Sequence, residues 1–538
     1  MSSRLLAAAL CALTIAAYSN SFTGGFPFDN KQLILQDARV HDVSRANLDL
    51  ILGHSYWWPY GESGLYRPVT TLSYLFNYAL LGNGNRPAGY HAFNLAVHVV
   101  NVLLVYALLL ALLNQAGAGP PFKGRRPAHG AKAASGRNRM GGPAASTSSN
   151  PAPAAPGFAR VPAAFATAAI WAVHPLSTEA VTNIVGRADL LAALAVLGAF
   201  LLYLKARGEA GPRRLAWFAG VAAASALGFF SKESAVVIVP VIALYELVWW
   251  DGTRSRSALI WAAASLAAPL LLMWSQRSAV LGSSPAAEFA FVDNPIVGAG
   301  FWTGRLSAIA VMARYLALLV WPATLSNDYS YAQVPIVHGT ARDWVACLAI
   351  AACAAGWLAL SPWRARRNPG VVLAQRVAFF SAAFAFVTFL PASNLLFPTG
   401  TIMAERLMYL PSIGLVALLA IALLAAAARV FGSPGLAILA VAVLASGLSY
   451  RTWTRNPDWR DDVALWTSAV HAAPSSAKAH RALAEALYDT DPSHANIDRV
   501  IAEAERSVAL LSPLPDRWNS YQSYRQAGAY YLDKAVAL

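Results

Sequence analysis

The sequence predicts an all-α membrane protein: a polytopic transmembrane helix bundle followed by a short α-solenoid of tetratricopeptide type. Hydrophobic residues make up 57% of the 538 positions and charged residues only 13%, whereas soluble domains are usually about one quarter charged. Apolar runs long enough to cross roughly 30 Å of hydrocarbon recur along the chain. These runs lack the alternation of barrel strands, and only helices or closed barrels satisfy their backbone in lipid. Helices are therefore expected throughout.

Twelve apolar runs mark the predicted membrane helices within a domain of residues 1–455. Because some runs are short or partial, we expect about 11–13 helices in this domain. The first run follows Arg4 and also fits a secretory signal peptide, but we expect it to remain as an uncleaved helix. The runs lie near residues 5–19, 90–113, 161–174, 188–204, 215–230, 234–250, 257–275, 303–323, 343–360, 376–392, 410–429 and 434–450.

The net charge of +14 is concentrated in loops between the apolar runs. Residues 115–160 are rich in Ala, Gly, Pro and Ser and carry seven basic residues and no acidic one. This composition predicts a disordered linker on the cytoplasmic side. Smaller basic clusters lie at 205–214, 254–256 and 364–367. No basic face carries interleaved aromatic residues, so we expect no nucleic-acid partner.

The basic loops also predict which segments lie outside the cytoplasm. With the N-terminus inside, residues 19–89 form the first extracytoplasmic segment. The alternation fails over residues 257–323, which hold two runs where an odd number of crossings is needed, so we expect one helix there to be re-entrant or partial. Arg451 and Arg455 favour a cytoplasmic tail, whereas the denser cluster at 364–367 favours an outer one. We expect the tail outside.

The last segment, residues 456–538, differs in character from the bundle. Charged residues become frequent, and apolar residues recur at helical spacing. Pro474 and Pro513 punctuate two helix pairs with a period of 39 residues, slightly longer than the tetratricopeptide period of about 34. The segment is therefore predicted to form tetratricopeptide-like repeats.

Metal and disulfide chemistry find little support in the sequence. Cys11, Cys347 and Cys353 all lie in apolar runs, so they form neither a disulfide framework nor a zinc cluster. We expect no cofactor, and a divalent metal remains an open alternative.

Asp29 is the candidate catalytic base. It lies shortly after the first apolar run, so its carboxylate is expected at the membrane–water interface, where a lipid-borne donor and a soluble acceptor can meet. Group transfer to a hydroxyl needs a base that takes up the hydroxyl proton, and a carboxylate can do this. The alternative is an ordinary turn-forming aspartate in a solvated loop.

Charged residues at the ends of apolar runs are the other candidates, because ionisable groups at such depth usually pair or serve a site. Arg187, Lys232 and Arg406 are candidates for binding the donor phosphate. Snorkelling is an ordinary alternative for Arg406. Further site candidates lie in the same predicted segments: Arg67, His91, His174, Glu179, Asp189, Glu233, Asp293, Glu405 and Tyr409.

Structural roles compete with several of these assignments. Asp189 and Glu233 fit structural ion pairs equally well. Glu405 and Tyr409 are expected on one helix face if their segment is helical, since they are four residues apart.

A polar stripe crosses the second apolar run. His91, Asn94, His98 and Asn101 project from one face of the predicted helix because of their spacing. Polar stripes in membranes face the bundle interior. We expect the last three residues to form hydrogen bonds between helices.

The order of the motifs resembles a known family. After Phe28-Asp29 come YRPVTTLSYLFNYALLG, YHAFNLAVHVVN, HPLSTEAVTNIVGRADLLA, SKES, FVDNP, LSNDYSY, ERLMYLPSIG and RNPDWRDDVALW. Together they resemble the transmembrane and tetratricopeptide-repeat O-mannosyltransferase family and its bacterial relatives, which are similar to GT-C glycosyltransferases. The position of Phe28-Asp29 directly after the first helix is also the reason to expect that helix uncleaved.

The resemblance implies a function. It implies transfer of a sugar from a polyprenyl-phosphate donor to a protein or peptide hydroxyl on the extracytoplasmic side, with Asp29 as the base. We accordingly expect a multi-pass protein of a bacterial inner membrane with its site facing the periplasm or exterior. Two alternatives belong to other classes: a non-catalytic membrane anchor that presents a repeat scaffold to protein partners, and a transporter.

Overall fold

The computed structural model describes residues 3–61, 64–114, 160–249, 256–282, 288–359, 361 and 369–537. Every regular element in these ranges is helical, which confirms the predicted all-α class. The predicted linker at 115–159 and the basic cluster at 364–367 lie outside the described residues.

Nineteen α-helices, joined by short 3₁₀ and π segments, make up the described chain. The bundle comprises α1 (Ser3–Tyr18), α2 (Arg45–Gly53), α3 (Pro68–Leu75), α4 (Ala88–Asn114), α5 (Arg160–Ala172), α6 (Thr178–Val181), α7 (Arg187–Gly208), α8 (Gly211–Ser231), α9 (Ile238–Val248), α10 (Arg256–Leu281), α11 (Phe301–Val320), α12 (Ala341–Ala359), α13 (Pro369–Phe389), α14 (Ser412–Phe431) and α15 (Pro434–Arg455). The tail comprises α16 (Asp462–Ala472), α17 (Ala477–Thr490), α18 (Ile497–Leu511) and α19 (Tyr521–Ala537).

Ten of the helices in the described ranges are long and apolar enough to cross a membrane, namely α1, α4, α7, α8 and α10 to α15. The chain is therefore an integral, multi-pass membrane protein. Two of the predicted runs form shorter helices, since α5 has 13 residues and α9 has 11.

The polar stripe of α4 packs inside the bundle. The Asn94 amide donates to carbonyl oxygens of the segment before α7, and His98 lies 2.6 Å from the Tyr409 hydroxyl and 3.0 Å from the Ala172 carbonyl. The Asn101 amide donates to the Leu190 carbonyl at 3.0 Å. These bonds join different helices, which confirms the structural role expected for the three residues.

The loops that contain Asp29, Glu179, Lys232, Asp328 and Arg406 lie at one end of the bundle, here called the Asp29 end. Backbone and side-chain hydrogen bonds connect these loops to one another. For example, the Val185 amide donates to the Asn30 side chain at 2.9 Å, and the Arg406 amide donates to Glu179 at 2.8 Å. Segments that are far apart in sequence therefore build one surface.

Helix α11 contacts loops of the Asp29 end in both of its halves. Near its start, the Ser307 hydroxyl accepts a hydrogen bond from the Val337 amide at 2.8 Å. Near its last turn, the Leu319 carbonyl lies 2.9 Å from His174 Nε2. Both partners belong to loops at the Asp29 end. The re-entrant or partial helix expected between residues 257 and 323 stays a prediction, since α10 and α11 are both long and apolar enough to cross a membrane.

The repeat tail sits on the Asp29 end as well. Lys478 Nζ donates to Asp293 at 2.8 Å, and the Ser476 hydroxyl donates to Asp328 at 2.5 Å. Of the basic pair that argued for the opposite side, Arg455 is buried against Asp458 at 2.7 Å, and Arg451 donates to the Ala323 carbonyl at 2.9 Å.

Candidate active site

Asp29 lies in the short loop that follows α1 and precedes the π-helical turn Lys31–Leu35, and the residue is half-buried. Phe28 has φ of 60°, a left-handed conformation that costs about 1–2 kcal/mol for most L-residues. Asn30 is buried: its amide donates to the Pro27 carbonyl at 2.6 Å, and its oxygen accepts from the Val185 amide. The residues on both sides of Asp29 are thus held in place, which orients the carboxylate.

The electrostatic surroundings suit Asp29 for accepting a proton. Burial raises the pKa of Asp29 to about 6, while the positive charges of Arg406 and Lys478 act in the opposite direction. The negative charge of Glu179 adds to the effect of burial. A carboxylate with such a pKa is ionised at neutral pH and is a stronger base than an exposed aspartate.

Arg406 and Glu179 form the first ion pair near Asp29. Glu179 is almost completely buried, and it accepts hydrogen bonds from both the backbone amide and the guanidinium of Arg406. The segment after the one-turn helix of Glu179 packs closely against that helix. A side chain at Gly186 would clash, because its Cβ would lie 2.4 Å from the Ala180 carbonyl oxygen. About a third of the Arg406 side chain remains exposed (31%), so it can meet a ligand.

Two further ion pairs lie at the same end. Lys232 Nζ contacts Asp189 Oδ1 at 2.5 Å, and the Arg67 guanidinium donates to Glu233 Oε2 at 2.8 and 3.0 Å. Burial lowers the pKa of Lys232, and the charges of Arg67 and Arg406 act in the same direction. These three cations are therefore close enough to influence one another, and each of them is paired with a carboxylate.

A small cavity of about 30 Å³ lies between Lys232 and Arg406 and is also lined by Asp189. Its volume suits a water molecule. A phosphate that binds both cations must therefore displace one of the side chains that now fill this space.

An apolar cavity of about 490 Å³ adjoins the small one, since Pro411 lines both. Helices α11, α12, α13 and α14 form its walls. Residues of every wall are apolar, among them Met312, Trp357 and Phe386. An apolar cavity that ends beside two cations is suited to an amphiphile with an anionic head group.

Arg187 does not belong to this cluster of ion pairs. Its side chain is completely buried and donates to Asn94, to Asn77 and to the Ser73 and Tyr90 carbonyl oxygens at 2.6 to 3.2 Å. The guanidinium of Arg187 is thus bound by groups of the protein itself, and we no longer assign this residue to the phosphate site.

Two histidines among the candidates also have structural surroundings. The ring of His91 packs against Gly24, where a Cβ would lie 3.1 Å from Nε2. His174 Nδ1 accepts from the Leu176 amide, and its Nε2 faces the Leu319 carbonyl. Both residues shape the Asp29 end without contacting its ion pairs.

Glu405 and Tyr409 do not share a helix face, contrary to the expectation. Residues 405–408 form a 3₁₀ turn, which sends the two side chains to different partners. Glu405 is buried and accepts from the Tyr329 hydroxyl and the Ser326 amide at 2.7 and 2.6 Å. Burial raises the pKa of Glu405 to about 7. Tyr409 instead joins the polar stripe of α4.

One residue near Asp29 escaped the sequence analysis altogether. Lys478 belongs to the tail, yet its ammonium binds Asp293 and its charge acts on the pKa of Asp29. In sequence it is one of many charged residues on an amphipathic repeat helix. No local signal could have pointed to it, because its neighbours in space are about 185 and 450 residues away along the chain.

The fold and this site define a class: a multi-pass helical membrane protein with a carboxylate and several cations at one end, beside an apolar cavity. A family model described as "Protein O-mannosyl-transferase TMTC, DUF1736" matches residues 282–356. That segment covers α11 and most of α12. The match supports the resemblance that the motifs indicated.

Curated relatives extend the match over most of the chain. Protein O-mannosyl-transferase Tmtc3 of Drosophila melanogaster is 29% identical over 89% of this chain and 52% of its own length. Protein O-mannosyl-transferase TMTC4 of Mus musculus is 26% identical, with 89% and 63% covered, and protein O-mannosyl-transferase F38B6.6 of Caenorhabditis elegans is 27% identical, with 89% and 59% covered. The predicted likeness to the transmembrane and tetratricopeptide-repeat family is confirmed.

The chain spans between about half and just under two thirds of the length of these relatives. No solved structure matches it.

Proposed function

We propose that this protein is a membrane glycosyltransferase that moves a sugar from a polyprenyl-phosphate donor to a hydroxyl of a protein or peptide. The observation that carries the proposal is Asp29, a half-buried aspartate with a raised pKa, held near Arg406 at the end of a membrane bundle. The printed names of the relatives, protein O-mannosyl-transferase, make mannose the first sugar to test.

In the proposed reaction Asp29 takes the proton of the acceptor hydroxyl as its oxygen attacks the anomeric carbon of the sugar. The new carbon–oxygen bond forms while the bond from the anomeric carbon to the phosphate oxygen breaks. The electron pair leaves with the phosphate, whose negative charge increases. Arg406 and Lys232 lie where they can stabilise that charge. The proton remains on Asp29 until water removes it.

The donor chain is assigned to the apolar cavity between α11 and α14. An isoprenoid chain is apolar and requires a lipid-accessible groove, and a cavity of about 490 Å³ with apolar walls meets this need. The cavity ends within a few residues of Arg406, so a chain bound there carries its phosphate towards the cations.

The test is the substitution Asp29→Asn, assayed with a polyprenyl-phosphate sugar and an acceptor peptide. We expect sugar transfer to fall by at least about 10²-fold, the scale of general-base catalysis. Thermal stability should remain the same or rise slightly, because the substitution removes a partly desolvated charge. Asp42→Asn, which changes an exposed aspartate of the same segment, is the matched control and should leave transfer unchanged.

The pH profile of the wild-type protein is the second readout of this test. Protonated Asp29 cannot accept a proton, so kcat should fall about tenfold per pH unit below pH 6, since the pKa of Asp29 is about 6. If Asp29→Asn retained wild-type sugar transfer, Asp29 would not be the general base. A scaffold without enzymatic activity is distinguished in the same experiment, because it would show no transfer in the wild type.

We further propose that the tail and Asp29 lie outside the cytoplasm, with the basic loop at 205–214 inside. Single cysteines can test this in a background without the three native cysteines. Ala502→Cys, on an exposed tail position, should react with an impermeant thiol reagent in intact cells, whereas Ala210→Cys should react only after the membrane is opened. The reverse pattern would place the catalytic end in the cytoplasm.

A further inference from the structure

The residues at the start of the tail, Arg460 and Asp462, contact the loop of Asp29 at three points. The Gly25 amide donates to the Arg460 carbonyl at 2.7 Å, and the Phe28 amide donates to Asp462 Oδ1 at 2.7 Å. Asp462 Oδ2 also forms an ion pair with Lys31. Asp462 is the first residue of α16, more than 430 positions away in sequence. One carboxylate of the tail therefore holds the backbone on one side of Asp29 and a side chain on the other.

The conformation of Phe28 depends on these contacts. Its φ of 60° is uncommon for a residue other than glycine. Such strain persists only where the surroundings impose it. Here the amide is bound by Asp462, and the ring packs edge-on against Trp466 of the tail, with centroids 5.4 Å apart. The direction in which the next residue, Asp29, leaves the backbone follows from this conformation.

Within the part of the chain that the structure describes, no hydrogen bond joins Phe28 to an α-helix of the bundle. Its ring packs with the hydrophobic core of the tail, together with residues of α16 and α17. The bundle instead holds the residue after Asp29, Asn30, through the Val185 amide. Asp29 thus lies at the junction of two units, and each unit fixes the backbone on one side of it.

We infer that the first repeat helix is a structural part of the active site, and that Asp462 is a positioning residue that orients Asp29 through the Phe28 backbone. This inference rests on the proposed function, since it concerns the base of the proposed reaction. It makes the tail necessary for the chemical step, in addition to any binding of an acceptor.

Asp462→Ala and Asp462→Asn in the full-length protein test the inference. The alanine variant loses the acceptor for the Phe28 amide, and we expect kcat to fall by about 10- to 100-fold, the scale of misplacement of a catalytic group. The KM for the lipid donor should change little. Asparagine keeps an oxygen at the same position, so Asp462→Asn should recover most of the lost activity.

Asp461→Ala is the matched control on the same helix. Asp461 caps α16 by accepting from the Ala464 amide at 2.8 Å, and it does not bind the Asp29 loop. Its loss weakens the helix end without removing the bond to Phe28. If Asp461→Ala lowered kcat as much as Asp462→Ala, the effect would be general destabilisation of the tail, and the inference would be overturned.

Amide hydrogen exchange adds a readout that does not depend on activity. Asp462→Ala should increase exchange in peptides that cover residues 26–33, whereas Asp461→Ala should increase it at the start of α16 only. Wild-type kcat in Asp462→Ala, together with an inactive Asp29→Asn, would overturn the inference and leave the proposed function intact. Absence of transfer in the wild type would overturn both, and the exchange data would still show whether Asp462 holds the loop.

Discussion

Two arginines from separate motifs, the buried Arg187 and the partly exposed Arg406, have opposite surroundings. Arg187 lies among neutral groups: two asparagine side chains and two carbonyl oxygens take its donors, and its guanidinium lies within 6 Å of the ring centres of Tyr74, Tyr90 and Phe93. Arg406 instead pairs with a carboxylate, borders a small cavity and keeps 31% of its side chain exposed.

The comparison shows that burial of a cation does not by itself indicate a site. Around Arg187 every polar partner is already in place, so the residue joins α3, α4 and α7 into one unit. Around Arg406 the partner is charged and one side is open, so an anionic ligand can compete for the guanidinium. The two regions should therefore respond differently to the same substitution, arginine to lysine.

The largest effect is expected for Arg187→Lys, and it should be an effect on stability. A lysine has three donors on one atom and cannot reach four acceptors arranged around a guanidinium. Each buried acceptor left unpaired costs about 1–3 kcal/mol. We expect a clear loss of thermal stability in detergent, measured by the fraction of monodisperse protein after heating, with kcat per folded molecule unchanged.

This prediction has a direct control in Arg45→Lys, because Arg45 has a 95% exposed side chain and should tolerate lysine. A normal melting temperature for Arg187→Lys combined with a raised KM for the lipid donor would contradict the structural role of Arg187. Arg187 would then be assigned to the binding of the donor phosphate.

Arg406→Lys should give the next largest effect, this time on the donor. Lysine keeps the positive charge beside Glu179 but loses the forked donors that bind phosphate. We expect kcat/KM for the lipid donor to fall about tenfold, which corresponds to about 1.4 kcal/mol. The KM for the acceptor and the melting temperature should change much less. A larger change for the acceptor than for the donor would contradict the assignment.

The smallest predicted effect concerns the apolar cavity. Ala354→Phe adds bulk to its wall on α12 and should raise the KM for the lipid donor several-fold through steric exclusion. Ala351→Phe changes an exposed position of the same helix that does not line the cavity, so it should leave the KM unchanged. If the two variants had the same KM for the lipid donor, the donor chain would not bind in this cavity.

Predictions from the sequence succeeded where one segment carried the information. The apolar runs predicted the bundle, because crossing a bilayer requires a length and composition that can be read locally. The spacing of Asn94, His98 and Asn101 predicted their common face and their bonds between helices.

Predictions about pairs of residues were less successful, because partners are chosen by packing. Arg187 and Arg406 are the same residue type, and the sequence does not distinguish them. The surrounding segments provide neutral hydrogen-bond partners for Arg187 and a carboxylate for Arg406. Glu405 and Tyr409 were placed on one face by assuming an α-helix, but a 3₁₀ turn before α14 separates them.

By itself, therefore, the sequence determined the class of this protein, the order of its helices and the position of Asp29 just after the first of them. Hydropathy and chain connectivity are local properties, and they are sufficient for these conclusions. Only the tertiary structure decided that Asp462 of the tail binds the loop of Asp29 and that the charge of Lys478 acts on Asp29. That contact depends on how two units pack together, and no spacing along one segment encodes a distance between residues more than 400 positions apart.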